Sequence, residues 1–277
     1  VNKTPLTWLY VPGDRPETVT KALACGADVV IVDLEDAVAP DRKEYARTAT
    51  AERLGEPQPV PVHVRVNALD SPFAAEDLRT VAALPGVSAL RLPKVTSPHQ
   101  VTRVAESVPP ADRGATPLHA LLETALGIEH AYAIARAHPS LRGIALGEAD
   151  LRADLGVRDD AGLDWSRARV VVAARAAGLA PPPQSVHPDI RDLEGLATSC
   201  ARGRTLGFLG RAAIHPRQLP IIEQAYLPTR QELEEAETIV KAAATDQGAQ
   251  ALPDGRFIDA AVVAAARRTL SLAARGG

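Results

Sequence analysis

Short apolar runs in this chain end, one after another, in ionisable residues. Val29-Val30-Ile31-Val32 leads into Asp33-Leu34-Glu35-Asp36, and Val62-His63-Val64 into Arg65-Val66-Asn67. Leu90-Arg91-Leu92 leads into Pro93-Lys94, Leu118–Leu122 into Glu123, and the run before Gly147 into Glu148-Ala149-Asp150. Asp33, Arg65, Lys94, Glu123 and Asp150 follow one another at intervals of 27 to 32 residues. Glu123 and Asp150, on neighbouring runs without a cysteine nearby, offer hard oxygen donors. Mg²⁺ needs only one or two protein carboxylates and takes its other ligands from water or substrate. A substrate could chelate such a metal through a hydroxyl or keto oxygen and a carboxylate. Arg65, planar and permanently charged, suits a two-point grip on a carboxylate or the stabilisation of an enolate. Lys94 offers a rival chemistry, a Schiff base, which needs a depressed ammonium pKa. With Glu35, Glu123 and Asp150 as neighbours its charge is favoured instead, which argues against a nucleophilic amine. The plainer alternatives are a ring of internal salt bridges, Arg65 and Lys94 against Glu35 and Glu123, and an N-cap role for Asp150.

These residues need elements to position them. Extended candidates fall at 7–11, 28–33, 62–67, 87–92, 118–123, 143–147, 185–187 and 211–215. Helical periodicity fills 16–25, 41–53, 74–83, 98–107, 127–137, 164–178, 192–206 and 216–226. Eight strand starts about 30 residues apart imply parallel βα units and an α/β (β/α)8 TIM barrel, whose chemistry sits at the C-terminal ends of the strands. A doubly wound open sheet is the alternative, but G-x-G-x-x-G after the first strand is absent. Alternation places Asp33 with Glu35 on one strand face, His63 with Arg65 and Asn67, and His119 with Leu121 and Glu123. Val62, Val64 and Val66 take the helix side, so the polar set points into the barrel. His63 and His119 lie deeper and fill it; His187 and His215, each before a proline, shape the rim or touch ligand. Pro181-Pro182-Pro183 reads as a barrel loop rather than a linker, because composition does not change across it. The expected organisation is a barrel over 1–228 and a C-terminal helical lid or tail over 229–277. That tail holds helices near 230–245 and 260–274 and an extended piece with a Pro253-Asp254-Gly255 turn.

Composition removes several function classes. With 31 basic against 34 acidic residues and a net charge of -3, no field attracts nucleic acid or an anionic membrane. The aromatic share of 3% leaves little to stack on bases, and the core must be aliphatic. Cys25 and Cys200 lie too far apart for a metal motif and read as buried free thiols. Without an apolar stretch of about 20 residues or a signal-like N-terminus, the expectation is a cytoplasmic protein.

Several motifs resemble the citrate lyase β-subunit family, within the HpcH/HpaI-type aldolases that include malyl-CoA and citramalyl-CoA lyases. They are Val11-Pro12-Gly13-Asp14-Arg15-Pro16, Val32-Asp33-Leu34-Glu35-Asp36-Ala37-Val38-Ala39-Pro40, Val64-Arg65-Val66-Asn67 and Leu92-Pro93-Lys94-Val95. Glu123-Thr124-Ala125-Leu126-Gly127, Gly147-Glu148-Ala149-Asp150-Leu151 and Ile214-His215-Pro216 extend the resemblance over nearly the whole chain. It implies a (β/α)8 barrel that cleaves a C–C bond in a 3-hydroxyacyl thioester, of citryl-CoA or citryl-carrier-protein type. The products would be a 2-oxo acid, oxaloacetate, and an acetyl thioester. It further implies Mg²⁺ on Glu123 and Asp150, substrate on Arg65, Glu123 and Lys94, and Asp33, Glu35 and Asp36 supporting the metal site from behind. Arg15 becomes a candidate for the phosphates of CoA or of a phosphopantetheine arm. The resemblance also implies a trimer or hexamer in which a tail aspartate of a neighbouring chain, matched here by Asp259, closes the site as acid/base. Partner citrate lyase subunits are a further implication. Phe257 and Ala260 stand where the family often has Met and Pro, a departure in the lid. The rival readings are a stand-alone malyl-CoA or citramalyl-CoA lyase, a Schiff-base aldolase through Lys94, and a non-catalytic assembly subunit.

Overall fold

Runs such as Val29-Val30-Ile31-Val32 are apolar without alternation, the signature of strands covered on both faces. In the computed structural model, which describes residues 4–109, 114–245, 250–251 and 257–276, they become parallel strands joined by helices. The order begins β1 (Thr7–Pro12), α1 (Pro16–Leu23), β2 (Val29–Asp33), α2 (Lys43–Leu54), β3 (Val62–Arg65) and α3 (Ala74–Val81). It continues through β4 (Ala89–Leu92), α4 (Pro98–Ser107), β5 (Leu118–Leu122), α5 (Ala125–Glu129), α6 (Ala131–Ala135), β6 (Leu141–Leu146) and α7 (Glu148–Leu155). Last come α8 (Asp164–Ala176), α9 (Leu193–Thr205), β7 (Arg211–Ala213) and α10 (Leu219–Tyr226). The sheet runs β6-β5-β4-β3-β2-β1-β7, every neighbouring pair parallel, in a curled TIM-barrel-like fold.

The expected seventh strand, at 185–187, does not form. Among the described residues the sheet has seven strands, and the place between β6 and β7 is taken by an extended segment with one bridge, Gln184 to Arg211. The Gln184 amide donates to the Gly210 carbonyl (2.9 Å), and the Ala212 amide donates back to Gln184 (3.0 Å). Pro181, Pro182 and Pro183 before this segment and Pro188 after it carry no N–H, so only a short stretch between them has donors for a ladder. Cys200 is buried and free, whereas Cys25 is only half-buried, short of the expected full burial.

Register fixes which polar groups meet. Asp33 lies beside Arg65, and Arg65 beside Arg91. Val62, Val64 and Val66 are fully buried, as expected for residues packed under helices. Asn67 leaves the inward set: its amide and side chain donate to Asp77 Oδ2 on α3 (2.9 and 2.6 Å), and Arg47 on α2 pairs with the other oxygen (2.8 Å). This buried triad ties the end of β3 to two helices.

The chain divides into two compact units, Pro5–Ala225 and a second made of Tyr226–Gly277 with Val1–Thr4. The second contains α11 (Arg230–Thr245), a two-stranded antiparallel pair, β8 (Gln250–Ala251) and β9 (Phe257–Ile258), and α12 (Ala260–Ala273). Ala236, Ile239, Ile258 and Ala266 form its small core, with Val262, Val263 and Leu270 packed on it. The Pro253-Asp254-Gly255 turn lies outside the described residues. No helix of the described residues is long and apolar enough to cross a membrane.

Candidate active site

A cavity of about 340 Å³ opens at the strand ends of the first unit, lined by Asp33, Asp36, Arg65, Glu123 and Asp150. The loop after β2 delivers its acids through local hydrogen bonds. The amides of Glu35 and Ala37 donate to the two oxygens of Asp33 (2.9 and 3.0 Å), folding the loop around that carboxylate. Lys43, buried at the start of α2, donates from Nζ to the carbonyls of Leu34 and Glu35 (2.7 and 2.6 Å), stitching the loop to the helix.

Arg65 is held flat against this acidic loop. Nε and Nη2 donate to the two Asp33 oxygens (2.7 and 2.6 Å), and Nη1 donates to Asp36 (3.2 Å). The same Nη1 lies 3.0 Å from Glu35 Oε2, yet that buried oxygen accepts no properly directed hydrogen bond. Burial opposes the charge on Arg65, but Asp33, Tyr10 and Glu35 hold its pKa well above the ordinary arginine value. Of five guanidinium donors, three are committed to Asp33 and Asp36, leaving others for a ligand.

Glu123, 2% exposed at the end of β5, has two unlike oxygens. Oε1 accepts the Lys94 backbone amide at 2.6 Å. Oε2 faces Gly147, where a Cβ would sit only 2.3 Å away. Burial first, then the negative Glu35, pushes the carboxyl up to about 7, against the pull of Lys94 and Arg65. Glu35 is also raised, by burial above all, although Arg65 and Lys94 oppose the shift.

Lys94 reaches Glu123 with its main chain because its φ is +52°, a left-handed conformation unusual for a lysine. Its ammonium donates to Glu35 Oε1 (2.7 Å) and stands 3.7 Å from Asp36 and 3.8 Å from Asp150. Burial works against that charge, but the hydrogen bond and charge of Glu35, then Glu123, raise its pKa above the ordinary lysine value. Such an amine is a poor Schiff-base nucleophile. Asp150 lies in the first turn of α7, half in solvent; the N-cap is Gly147, so Asp150 does not cap the helix.

The structure thus gathers Asp33, Glu35, Asp36, Arg65, Lys94, Glu123 and Asp150 at one barrel mouth, and the internal ion pairs coexist with an open cavity. Arg15 stands apart, exposed before α1 and outside the cavity lining. Asp259 belongs to the second unit, where its Oδ1 accepts the amides of Ala261 and Val262 and caps α12. His63 and His119 stack inside the barrel, centroids 4.8 Å apart, both held neutral by burial. His187 lends its carbonyl to Gln218, and His215 caps the turn that follows it. Sequence reasoning missed Gly147, Lys43, Tyr10 and Arg91. An arginine inside the four-residue apolar strand Ala89–Leu92 and a glycine ending β6 were the available signals.

Comparison with known proteins gives the geometry a relationship. Residues 6–216 match the HpcH/HpaI aldolase/citrate lyase model, and residues 173–264 match a C–C bond lyase model of the TIM-barrel fold. A (3S)-malyl-CoA thioesterase of Cereibacter sphaeroides is 36% identical, covering 96% of this chain and 93% of its own. The citrate lyase β subunit of Leuconostoc mesenteroides is 33% identical, with 96% and 92% covered. The solved structure of CitE from Mycobacterium tuberculosis with magnesium, acetoacetate and coenzyme A superposes with a TM-score of 0.83 at 34% identity, over 99% of this chain and 100% of that one. By the family match and these full-length likenesses, the chain belongs to the HpcH/HpaI aldolase/citrate lyase family and is a carbon–carbon lyase of the citrate lyase β type.

Proposed function

We propose that the protein is a Mg²⁺-dependent lyase that splits a 3-hydroxyacyl thioester into a 2-oxo acid and an acetyl thioester. The observation that carries this reading is the asymmetry of Glu123. One oxygen is fixed by the Lys94 amide, while the other faces a glycine beside the cavity. The donor set fits magnesium: Glu123 and Asp150 would hold it through hard oxygens, and the remaining positions would go to water and substrate. Glu35 Oε2, buried without a hydrogen bond, adds negative potential behind them. Magnesium bound there would supply the Lewis-acid charge that stabilises oxygen anions of the oxo-acid half.

The chain's own groups would do the rest. Arg65, immobilised on Asp33, presents its remaining N–H donors to the charge that develops as the C–C bond breaks. Removing such a stabiliser typically lowers kcat about 10²–10³-fold. The electron pair of the breaking bond passes to the thioester as an enolate while the hydroxyl carbon becomes the 2-oxo carbon. Asp259, contributed by a neighbouring chain, takes the hydroxyl proton as a carboxylate while the C–C bond breaks and then, as the carboxylic acid, delivers it to the enolate carbon. Lys94 keeps Glu35 and Glu123 in place and supplies positive charge near the substrate. Arg15 is assigned to the phosphates of CoA or of a carrier-protein arm. The assembly is a homotrimer or hexamer, with other citrate lyase subunits as partners if the acyl carrier is a protein.

The test is thioester cleavage by the purified protein on citryl-, malyl- and citramalyl-CoA and on a citryl carrier protein. Acetyl thioester and 2-oxo acid should appear together, stop with EDTA and resume with Mg²⁺. Turnover that survives EDTA, with borohydride trapping substrate on Lys94, would mean a Schiff-base aldolase. Free CoA without acetyl-CoA would mean thioester hydrolysis, the activity in the name of the Cereibacter relative. No cleavage of any of them overturns the reading.

A further inference from the structure

Arg91 sits on β4 between two leucines that pack outward, in register with Arg65 and His119. Its side chain lies on the barrel side, is 2% exposed, and lines the cavity at strand level with Tyr10, Leu121, Ala145 and Ala212. Its partners there are neutral. Nε is 3.4 Å from His63 Nδ1, and the Tyr10 hydroxyl, which lines the same cavity, is the group that favours the guanidinium's charge. Burial holds His63 neutral, with His119 and Arg91 adding to the effect, and burial likewise keeps Tyr10 protonated. Among the described residues Arg91 forms no ion pair; Tyr10 favours its charge, while burial and Arg65, of the same sign, oppose it.

Other shielded arginines are compensated. Arg47 pairs with Asp77, Arg65 with Asp33, and Arg167 with Glu148 and Asp160. Arg211, which also lacks a carboxylate, has Ser199, Gln184 and Cys200 as side-chain acceptors and lies outside this cavity. A desolvated cation without a counter-charge is strongly unfavourable, and a site that keeps one gains when an anion arrives.

We infer that Arg91, together with the Tyr10 hydroxyl, is the anion-binding floor of the site and selects an oxo-acid half that carries a further carboxylate. The inference rests on the proposed lyase reading and deepens it. The thioester arm must leave through the mouth, so the oxo-acid half is the part of the substrate that reaches strand level. Its own carboxylate and keto oxygen are engaged by the mouth residues. A substituent extending deeper meets Arg91: a carboxylate neutralises it, whereas a hydrogen or methyl leaves the cation unpaired. Sites built around a polar partner reject analogues that lack it far more strongly than apolar pockets do.

The test is calorimetric titration of the full-length, Mg²⁺-loaded protein with freshly dissolved oxaloacetate and with pyruvate. The wild type should bind oxaloacetate at least about 30-fold more tightly, the scale of a buried charged pair. Arg91→Met should bring the ratio within about threefold, and Arg91→Lys, lacking the planar fork, should leave it in between. Equal wild-type affinities, or an Arg91→Met variant that weakens both acids alike, overturn the inference and leave the lyase reading standing. If neither acid binds the wild type, the lyase reading fails as well. Should Arg91→Met not fold, Tyr10→Phe must by itself narrow the ratio, and an unchanged ratio overturns the inference.

Discussion

Gly147→Ala isolates the availability of one oxygen atom. Gly147 has φ −100° and ψ 90°, which alanine adopts without strain, so the backbone does not resist the change. The added Cβ would stand 2.3 Å from Glu123 Oε2 and 2.6 Å from Glu123 Cβ, whereas real Cβ contacts essentially never fall below 3.0 Å. The carboxylate must therefore recede by at least about 0.7 Å, and at its other end Oε1 is tied to the Lys94 amide at 2.6 Å. Breaking that charge-assisted bond costs about 1.5–3 kcal/mol, and each 1.4 kcal/mol is a factor of ten in binding. The expected result is a Mg²⁺ affinity lowered about 10–100-fold, read by calorimetric titration, with a modest loss of thermal stability. A Gly147→Ala protein that folds and binds Mg²⁺ as tightly as the wild type would refute the reasoning, because Glu123 Oε2 could not then be a ligand.

Further outcomes follow from the same contacts. With Glu123 raised to about 7, Mg²⁺ must displace a proton below that pH; affinity should climb up to about tenfold per unit towards pH 7 and flatten above it. A flat profile between pH 5.5 and 8 counts against Glu123 as ligand. Arg65→Lys loses the two-point contact with Asp33; kcat/KM should fall about 10²–10³-fold while Mg²⁺ affinity stays within threefold, and wild-type turnover excludes the charge-stabilising role. Asp259→Asn preserves the α12 cap, since asparagine caps as well as aspartate, so lost turnover with unchanged melting identifies a proton-transfer role. Asp160 is held down at about 2, chiefly by hydrogen bonding to Arg167. Its stabilisation is present above about pH 4 and fades as pH falls towards 2. Arg167→Met should flatten that part of the urea-midpoint profile and destabilise the fold at pH 7, by less than a fully buried pair because Asp160 is half exposed.

Why the mouth residues were legible one by one and the floor was not is a matter of range. Asp33, Arg65, Lys94, Glu123 and Asp150 each interrupt an apolar run where a strand must stop, so local pattern finds them. The expected seventh strand failed by the opposite logic. Residues 185–187 matched the rhythm of the units, but prolines at 181–183 and 188 leave only a short donor-bearing stretch between them, and its pairing is confined to Gln184. Asn67 followed the alternation of β3, yet Asp77, ten residues on, turned it to the helix side because a buried carboxylate draws every donor within reach.

The sequence by itself determined the parallel βα rhythm, the aliphatic core and the set of acids and bases at the strand ends, because these follow from periodicity and residue type. Only the tertiary structure decided the division of labour among them. Asp33 spends both oxygens on Arg65 and its own loop, Lys94 serves Glu123 through a left-handed backbone, and Glu123 keeps one oxygen open against a glycine. Arg91, marked in sequence only as an arginine inside an apolar run, became a buried cation with neutral neighbours once β3, β4 and β1 brought His63 and Tyr10 around it. Charge compensation is a property of distances between strands far apart in the chain, and residue spacing alone does not contain those distances.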